Sequence, residues 1–134
     1  MAYWLLKTEP TTYSFADLVR DRKTTWDGVS NNTALRNLRL MKKGDLAFVY
    51  HSGGEKSIVG VAEVLGEAYP DPKKKDHRLV VVDLKAREAL NTPVTLAVVK
   101  ASGHFADFAL VRIPRLSVMP VSGAQWKRLM SMAR

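Results

Sequence analysis

Imidazole ligates metals and moves protons near neutral pH, so His51, His77 and His104 are the first side chains to weigh for chemistry. They show neither the i, i+4 nor the His-x-His spacing of metal ligands, and no metal site is expected. His51 stands beside Ser52, yet nucleophilic catalysis needs a hydrogen bond through space plus an orienting carboxylate, which neighbours in a strand rarely supply. The pair is read as non-catalytic. Gly53-Gly54 is too short for a glycine-rich phosphate loop, so no nucleotide cofactor is expected. The chain has no cysteine, which removes disulfides, thiolate zinc sites and cysteine nucleophiles together. What remains is the chemistry of binding.

Trp26 stands in a polar stretch between Thr25 and Asp27. An indole face returns stacking energy to a base taken out of its stack, while tryptophan is also a common core residue; both readings stand on the sequence. Lys7, Thr8 and Glu9 fall where an apolar run ends, so they could reach over a rim as donor, hydroxyl and acceptor, or form an ordinary surface ion pair. Asn31 offers an amide with both donor and acceptor for a base edge, or a helix N-cap. Tyr50, His51 and Ser52 close a second apolar run with a polar trio. Leu116, Ser117, Val118 and Pro120 could form a wall from backbone groups and small side chains, or simply a strand. For phosphate, Arg36, Arg39 and Lys43 are spaced to share one helix side, and Lys73, Lys74 and Lys75 form a second cluster; solvated charge is the alternative for each.

These candidates sit among 21 Lys and Arg against 13 Asp and Glu, a formal charge of +8 over 134 residues. Such a field attracts polyanions, which makes nucleic acid the leading partner class. A hydrophobic share of 46% and a charged share of 25% are those of one ordinary globular domain. No run reaches the ~18 apolar residues of a membrane span, and the first residues lack the basic and apolar regions of a signal peptide. A cytoplasmic, membrane-free protein is the expectation.

The positioning elements follow from pattern. Residues 3–7 form a strand stopped by Pro10; Ser14 and Asp17 form a capping box for a helix over 15–20; residues 23–30 form a polar loop. A second helix starts at Asn31 or Asn32 and runs to about Lys43, with Ala34, Leu35, Leu38 and Met41 inward and Gly44 ending it. Residues 46–50, 58–65 and 79–84 read as strands, and 69–76, with two prolines and three lysines, as a solvated loop. Thr95 caps a turn or two of helix to Ala101, and Phe105, Phe108 and Leu110 return the chain to the core. One more strand is expected within 111–118, and Ser122 with Gln125 opens a terminal helix through Trp126, Leu129 and Met130.

Taken in order, Tyr3-Trp4-Leu5-Leu6-Lys7-Thr8-Glu9-Pro10, Trp26-Asp27-Gly28-Val29 with Asn31 and Ala34, Met41-Lys42-Lys43-Gly44-Asp45, Tyr50-His51-Ser52, Val59-Gly60-Val61-Ala62-Glu63-Val64, Tyr69-Pro70-Asp71-Pro72, the run 115–121 and Trp126 resemble the EVE domain family. The resemblance spans nearly the whole chain and implies one domain, 1–134. It implies a mixed α+β fold, a PUA-like small β-barrel with peripheral helices related to YTH domains. It also implies a non-enzymatic binder of DNA or RNA that holds a flipped, modified base in an aromatic pocket, with no cofactor. Under that resemblance Trp26 becomes the stacking face, and Lys7, Thr8, Glu9 and Asn31 rise above their surface roles. Two departures bear on ligand choice: Ser30 stands where the family often has Arg, and the loop 73–78 is shorter than usual. The alternatives are an enzyme or binder for a nucleotide-like small molecule, which lacks a matched nucleophile and base, and a protein-interaction module, which lacks an evident apolar patch.

Overall fold

The computed structural model describes all 134 residues. Seven strands form one mixed sheet. β1 (Tyr3–Thr8) lies parallel to β3 (Leu46–His51), and β3 pairs antiparallel with β4 (Ser57–Val64). β4 pairs with the 16-residue β6 (Val80–Thr95), which also carries β2 (Lys23–Trp26) and the two-residue β5 (Tyr69–Pro70). β7 (Val118–Val121) lies against β1, so β2 and β7 end the order β2-β6-β4-β3-β1-β7. Most of β1, β3 and β4 is buried on both faces, because their unbroken apolar runs meet core on one side and helices on the other. The helices are α1 (Phe15–Asp21), α2 (Asn32–Leu40), α3 (Leu96–Ala101), α4 (Ala109–Arg112) and α5 (Gly123–Met132). None is long and apolar enough to cross a membrane.

Each expected N-cap is present. Ser14 and Asp17 form a reciprocal capping box, as do Ser122 and Gln125, and Thr95 and Asn31 accept the Val98 and Ala34 N–H groups. α5 docks through Trp126, which stacks on Phe48 at 3.8 Å and Tyr3 at 4.6 Å. α1 docks through Phe15, whose ring lies over Gly60 of β4 so closely that a Cβ there would overlap it. The Phe15 N–H donates to His51 Nε2 at 2.9 Å, fixing the same helix start from the end of β3.

The structure corrects four expectations. Residues 23–26 are an edge strand, not a loop: polar Lys23, Thr24 and Thr25 suit a half-exposed edge, and β6 supplies the ladder. β6 runs on past Leu84 to Thr95 because β4 pairs with it through two register shifts, although residues 85–93 are polar and mostly exposed and so carry no strand pattern. α2 stops at Leu40, since Met41 is extended at ψ 144° and the Asp45 carboxylate takes the Lys42 N–H at 3.0 Å; Lys43 therefore leaves the helix. In 111–118 only Val118 is strand. α4 occupies the start, and Pro114 has no N–H for a ladder.

Asp45 is buried and accepts three N–H groups, from Ala2, Lys42 and the Trp4 indole, each at 3.0 Å. Burial alone would raise its pKa, but the bonds from Trp4, Ala2 and Lys42 and the N-terminal charge prevail and hold it below the usual value. A depressed carboxyl stabilises the fold above its unfolded pKa, about 3.9, and that stability is lost as pH falls through the lower folded value. The advantage of the wild type over Asp45→Asn in acid titrations of thermal unfolding is therefore expected to hold above about pH 4 and to shrink below it. A second expectation concerns the seat of α1. Gly60→Ala should cost about 1–3 kcal/mol through overpacking, and pairing it with Phe15→Leu should cost less than the sum of the two single changes. Strict additivity in the melting data would show that the ring and the glycine do not share one site.

Candidate nucleic-acid interface

Strand ends and the loops that leave them enclose a cavity of about 720 Å³. Lys7 and Thr8 come from the end of β1, and Glu9, Thr12 and Tyr13 from the turn beyond it. β2 brings Thr24, Thr25 and Trp26, followed by Asp27, Gly28 and Val29; β5 and its loop bring Tyr69, Asp71, Pro72 and Lys73; Ser117 closes the wall before β7. The volume lies in the range of small-molecule pockets.

Three aromatic side chains line it: Tyr13, Trp26 and Tyr69. The Tyr13 ring meets Trp26 edge-on, 6.4 Å between centroids and 86° between planes. The Tyr13 hydroxyl donates to Asp21 at 2.9 Å, and the Tyr69 hydroxyl to Asp83 at 2.7 Å. Asp83 also accepts Thr25 Oγ1 at 2.9 Å, tying β2 to the Tyr69 loop. Burial pushes the Tyr13 phenol up, and the Asp83 bond with burial does the same for Tyr69, so both rings stay neutral at pH 7. Trp26 is only 7% exposed and belongs to the core cluster, so it is wall and core at once. Its indole N–H has no protein acceptor, and because no sealed side-chain polar atom lacks a partner, this donor reaches solvent.

The polar groups are partly committed. Lys7 is half-buried; its Nζ donates to the Pro114 carbonyl at 2.8 Å and lies 5.6 Å from the Tyr50 ring centre. It belongs to none of the ion pairs, and burial lowers its pKa. Thr8 Oγ1 donates to the Tyr13 carbonyl at 2.7 Å, which closes the turn. Glu9 packs on Gly53, where an added Cβ would lie 2.8 Å from its Oε2. Asp71 is 8% exposed, and one of its oxygens accepts the Lys73 N–H at 2.9 Å. Its other oxygen has no protein donor and, by the argument used for the indole, is open.

The family model for the EVE domain matches residues 2–132. The chain belongs to the EVE domain family. It is 30% identical to mouse thymocyte nuclear protein 1 over 97% of its own length and 73% of that protein. Among solved structures it resembles protein Rpa0253 from Rhodopseudomonas palustris, with a TM-score of 0.94 and 46% identity over 99% of this chain and 93% of that one. It also resembles human THYN1 protein, solved in complex with 5-methylcytosine-containing DNA, with a TM-score of 0.91 and 28% identity over 100% of this chain and 98% of that one. The α+β fold is of the PUA-like kind.

Of the residues that the sequence brings forward in this EVE domain, Lys7, Thr8, Glu9, Trp26, Ser117 and Lys73 line the cavity. Ser30, Asn31, Tyr50, His51, Ser52, Leu116, Val118 and Pro120 do not. Asn31 caps α2, and the Ser30 carbonyl accepts Arg78 Nη1 at 2.9 Å. Tyr50, Leu116 and Val118 are core, whereas Pro120 is exposed on β7. His51 is spent on structure: Nε2 accepts the Phe15 N–H, so Nδ1 carries the proton and donates to Glu55 at 3.0 Å. Ser52 Oγ donates to the Thr8 carbonyl at 3.2 Å, holding the two strand ends together. Arg36, Arg39 and Lys43 do not form one helix stripe, because Lys43 lies beyond α2 and Arg39 donates to the Arg78 carbonyl at 2.6 Å. Lys74 and Lys75 are exposed beside Lys73. No three His, Cys, Asp or Glu side chains are grouped to hold a metal ion.

Tyr13, Tyr69 and Asp71 also line the cavity and are not among the residues that the sequence brings forward. The signal for two of them was the Tyr69-Pro70-Asp71-Pro72 block, which the prolines and lysines disguised as a solvated loop.

The double position of Trp26 sets an expected outcome. Trp26→Ala should cost about 3–5 kcal/mol from lost burial and cavity, lowering the melting temperature by about 10–30 °C at roughly 3–6 °C per kcal/mol. Trp26→Phe keeps a ring and should cost well under half of that. A melting point unmoved by the alanine change would contradict the packing described for the indole.

Proposed function

We propose that this EVE domain is a non-enzymatic reader that holds one base, flipped from a nucleic-acid strand, in the cavity beside Trp26, with 5-methylcytosine in DNA as its leading ligand. The observation that carries the reading is the meeting of Tyr13, Trp26 and Tyr69 around one cavity whose polar groups stay partly unspent. Aromatic walls offset the stacking lost on flipping, and free donors and acceptors address the base edge. The human THYN1 complex with 5-methylcytosine-containing DNA supports the ligand class. Binding without catalysis fits the local chemistry, because both ring nitrogens of His51 are committed and no base stands ready to activate Ser52.

The edge-reading group is Asp71. 5-Methylcytosine and thymine share a methyl group, so shape alone separates them poorly. They differ at position 4, where cytosine presents an amine donor and thymine a carbonyl acceptor. A buried carboxylate with one open oxygen accepts from the amine and repels the carbonyl. Asp27 and Glu9 also line the cavity but are exposed, and water weakens what they can distinguish.

Oligonucleotides that differ at one position, as 5-methylcytosine, cytosine or thymine, test this by titration, with RNA versions in parallel. The methylated base should bind most tightly, and Asp71→Asn should reduce its preference over thymine by about tenfold or more, given ~1.5–3 kcal/mol for a hydrogen bond to a charged group. Equal binding of all three bases would overturn the reader proposal. A uniform loss in the variant would remove Asp71 as the discriminating group while leaving the pocket.

A further inference from the structure

A second concavity lies where β2 meets β6, and it shares no lining residue with the base cavity. It has a volume of about 480 Å³ and is lined by Arg22, Lys23, Lys85 and Arg87 together with Val19, Ala86, Ala89 and a single carboxylate, Glu88. Four cations around one small groove repel one another, and two of them are paired by the sheet itself: Lys23 of β2 faces Lys85 of β6 in register. Like charges directly opposite destabilise a strand pair. Glu63 relieves part of the strain, 3.9 Å from Lys85 and 3.0 Å from Arg87, but Arg22 and Lys23 take part in no ion pair. Arg22 is also one of two non-glycine residues with positive φ, at 69°, a conformation that costs free energy and gathers at functional positions.

Register links this groove to the cavity. Thr25 and Asp83 are opposed on β2 and β6, and Lys23 and Lys85 are opposed two residues away. Residues two apart share a sheet face and lie roughly 7 Å apart. One face of this ribbon therefore passes from Tyr69 and Thr25, which line the cavity and are joined through Asp83, to the lysine pair and then Arg87; Arg22, at the turn that leads into β2, joins them as a lining residue of the groove. β2 is the edge of the sheet, so no further strand covers this ribbon.

We infer that the Arg22, Lys23, Lys85 and Arg87 groove binds the phosphodiester backbone of the strand whose base enters the cavity. It rests on the reader proposal for the identity of the ligand, but its own content is a backbone site beside the β2 edge. Phosphates within one Debye length relieve the repulsion between Lys23 and Lys85. Because a phosphate carries no base identity, the groove sets affinity and register while the cavity sets selectivity.

The test is the salt dependence of binding to the 5-methylcytosine duplex, compared among wild type, Lys23→Gln/Lys85→Gln and Lys127→Gln/Arg128→Gln. The last variant removes the same charge from exposed positions on α5, outside both concavities. The groove variant should lower the magnitude of the slope of log K against log salt by about 1–2, at roughly 0.9 per phosphate contact. It should keep the wild-type preference for the methylated base, and its melting temperature should not fall, since the change removes a repulsion. The α5 variant should leave the slope near wild type. An unchanged slope in the groove variant, or an equal fall in both, would overturn the inference, as would loss of base preference in the groove variant alone. A wild type without base preference whose slope still falls only in the groove variant would sink the reader proposal and leave the backbone site standing.

Discussion

The position of Phe15 over Gly60 is the constraint on which the site depends. Gly60 leaves a side-chain-sized gap on β4, and the Phe15 ring fills it, while His51 takes the Phe15 N–H at 2.9 Å. One residue is thus fixed by packing and by a hydrogen bond from two different strands. α1 starts at that residue, and the chain that leads into it carries Tyr13, while the chain that leaves it becomes β2 and ends at Trp26. Two of the three aromatic walls are therefore held from one anchor point. The geometry also explains why His51 is unavailable for ligand chemistry: turning its Nε2 outward would orphan a buried N–H, at a cost of about 1–3 kcal/mol.

Charge is distributed on two scales. The formal excess of +8 draws a polyanion from a distance, yet the cavity itself contains the carboxylates Glu9, Asp27 and Asp71 beside Lys7 and Lys73. A uniformly basic pocket would hold phosphate and ignore the base. In the proposed reader, acceptors inside the cavity address donors on a base edge, and the cations, concentrated along the β2 and β6 ribbon and in the 73–75 loop, are left to meet the backbone. Asp45 shows the opposite use of a carboxylate, since its three donors leave it nothing to offer a ligand.

Local signals in the sequence point to structure where the physics is local. Ser14, Asn31, Thr95 and Ser122 cap helices within three residues of themselves, and the apolar runs of β1, β3 and β4 are buried on both faces, so their patterns point directly to structure. Lys23, Thr24 and Thr25 gave no such signal because an edge strand needs only a partner backbone, and that partner lies near residue 84. The polar stretch 85–93 failed for the same reason. Trp26 and the Lys7, Thr8 and Glu9 cluster were legible through composition and family resemblance. Tyr13 and Tyr69 were not, since each sits among polar residues and only the pairing of β5 and β2 with β6 brings them to one cavity.

The cavity is walled by strand ends and short connections that are tied at both sides: Thr8 to Tyr13, Ser52 to Thr8, Thr25 and Tyr69 to Asp83, and Lys73 to Asp71. A pocket built this way is largely formed before a ligand arrives, so less free energy is spent ordering it on binding. Most of its walls are separable from the core, because Asp71, Tyr69 and Lys7 can change without opening the hydrophobic cluster. Trp26 is the exception, being part of that cluster and of the wall together. A substitution there changes the wall and the core together, which is why the remaining wall residues, and not the indole, are the positions where the cavity can be altered without loss of the fold.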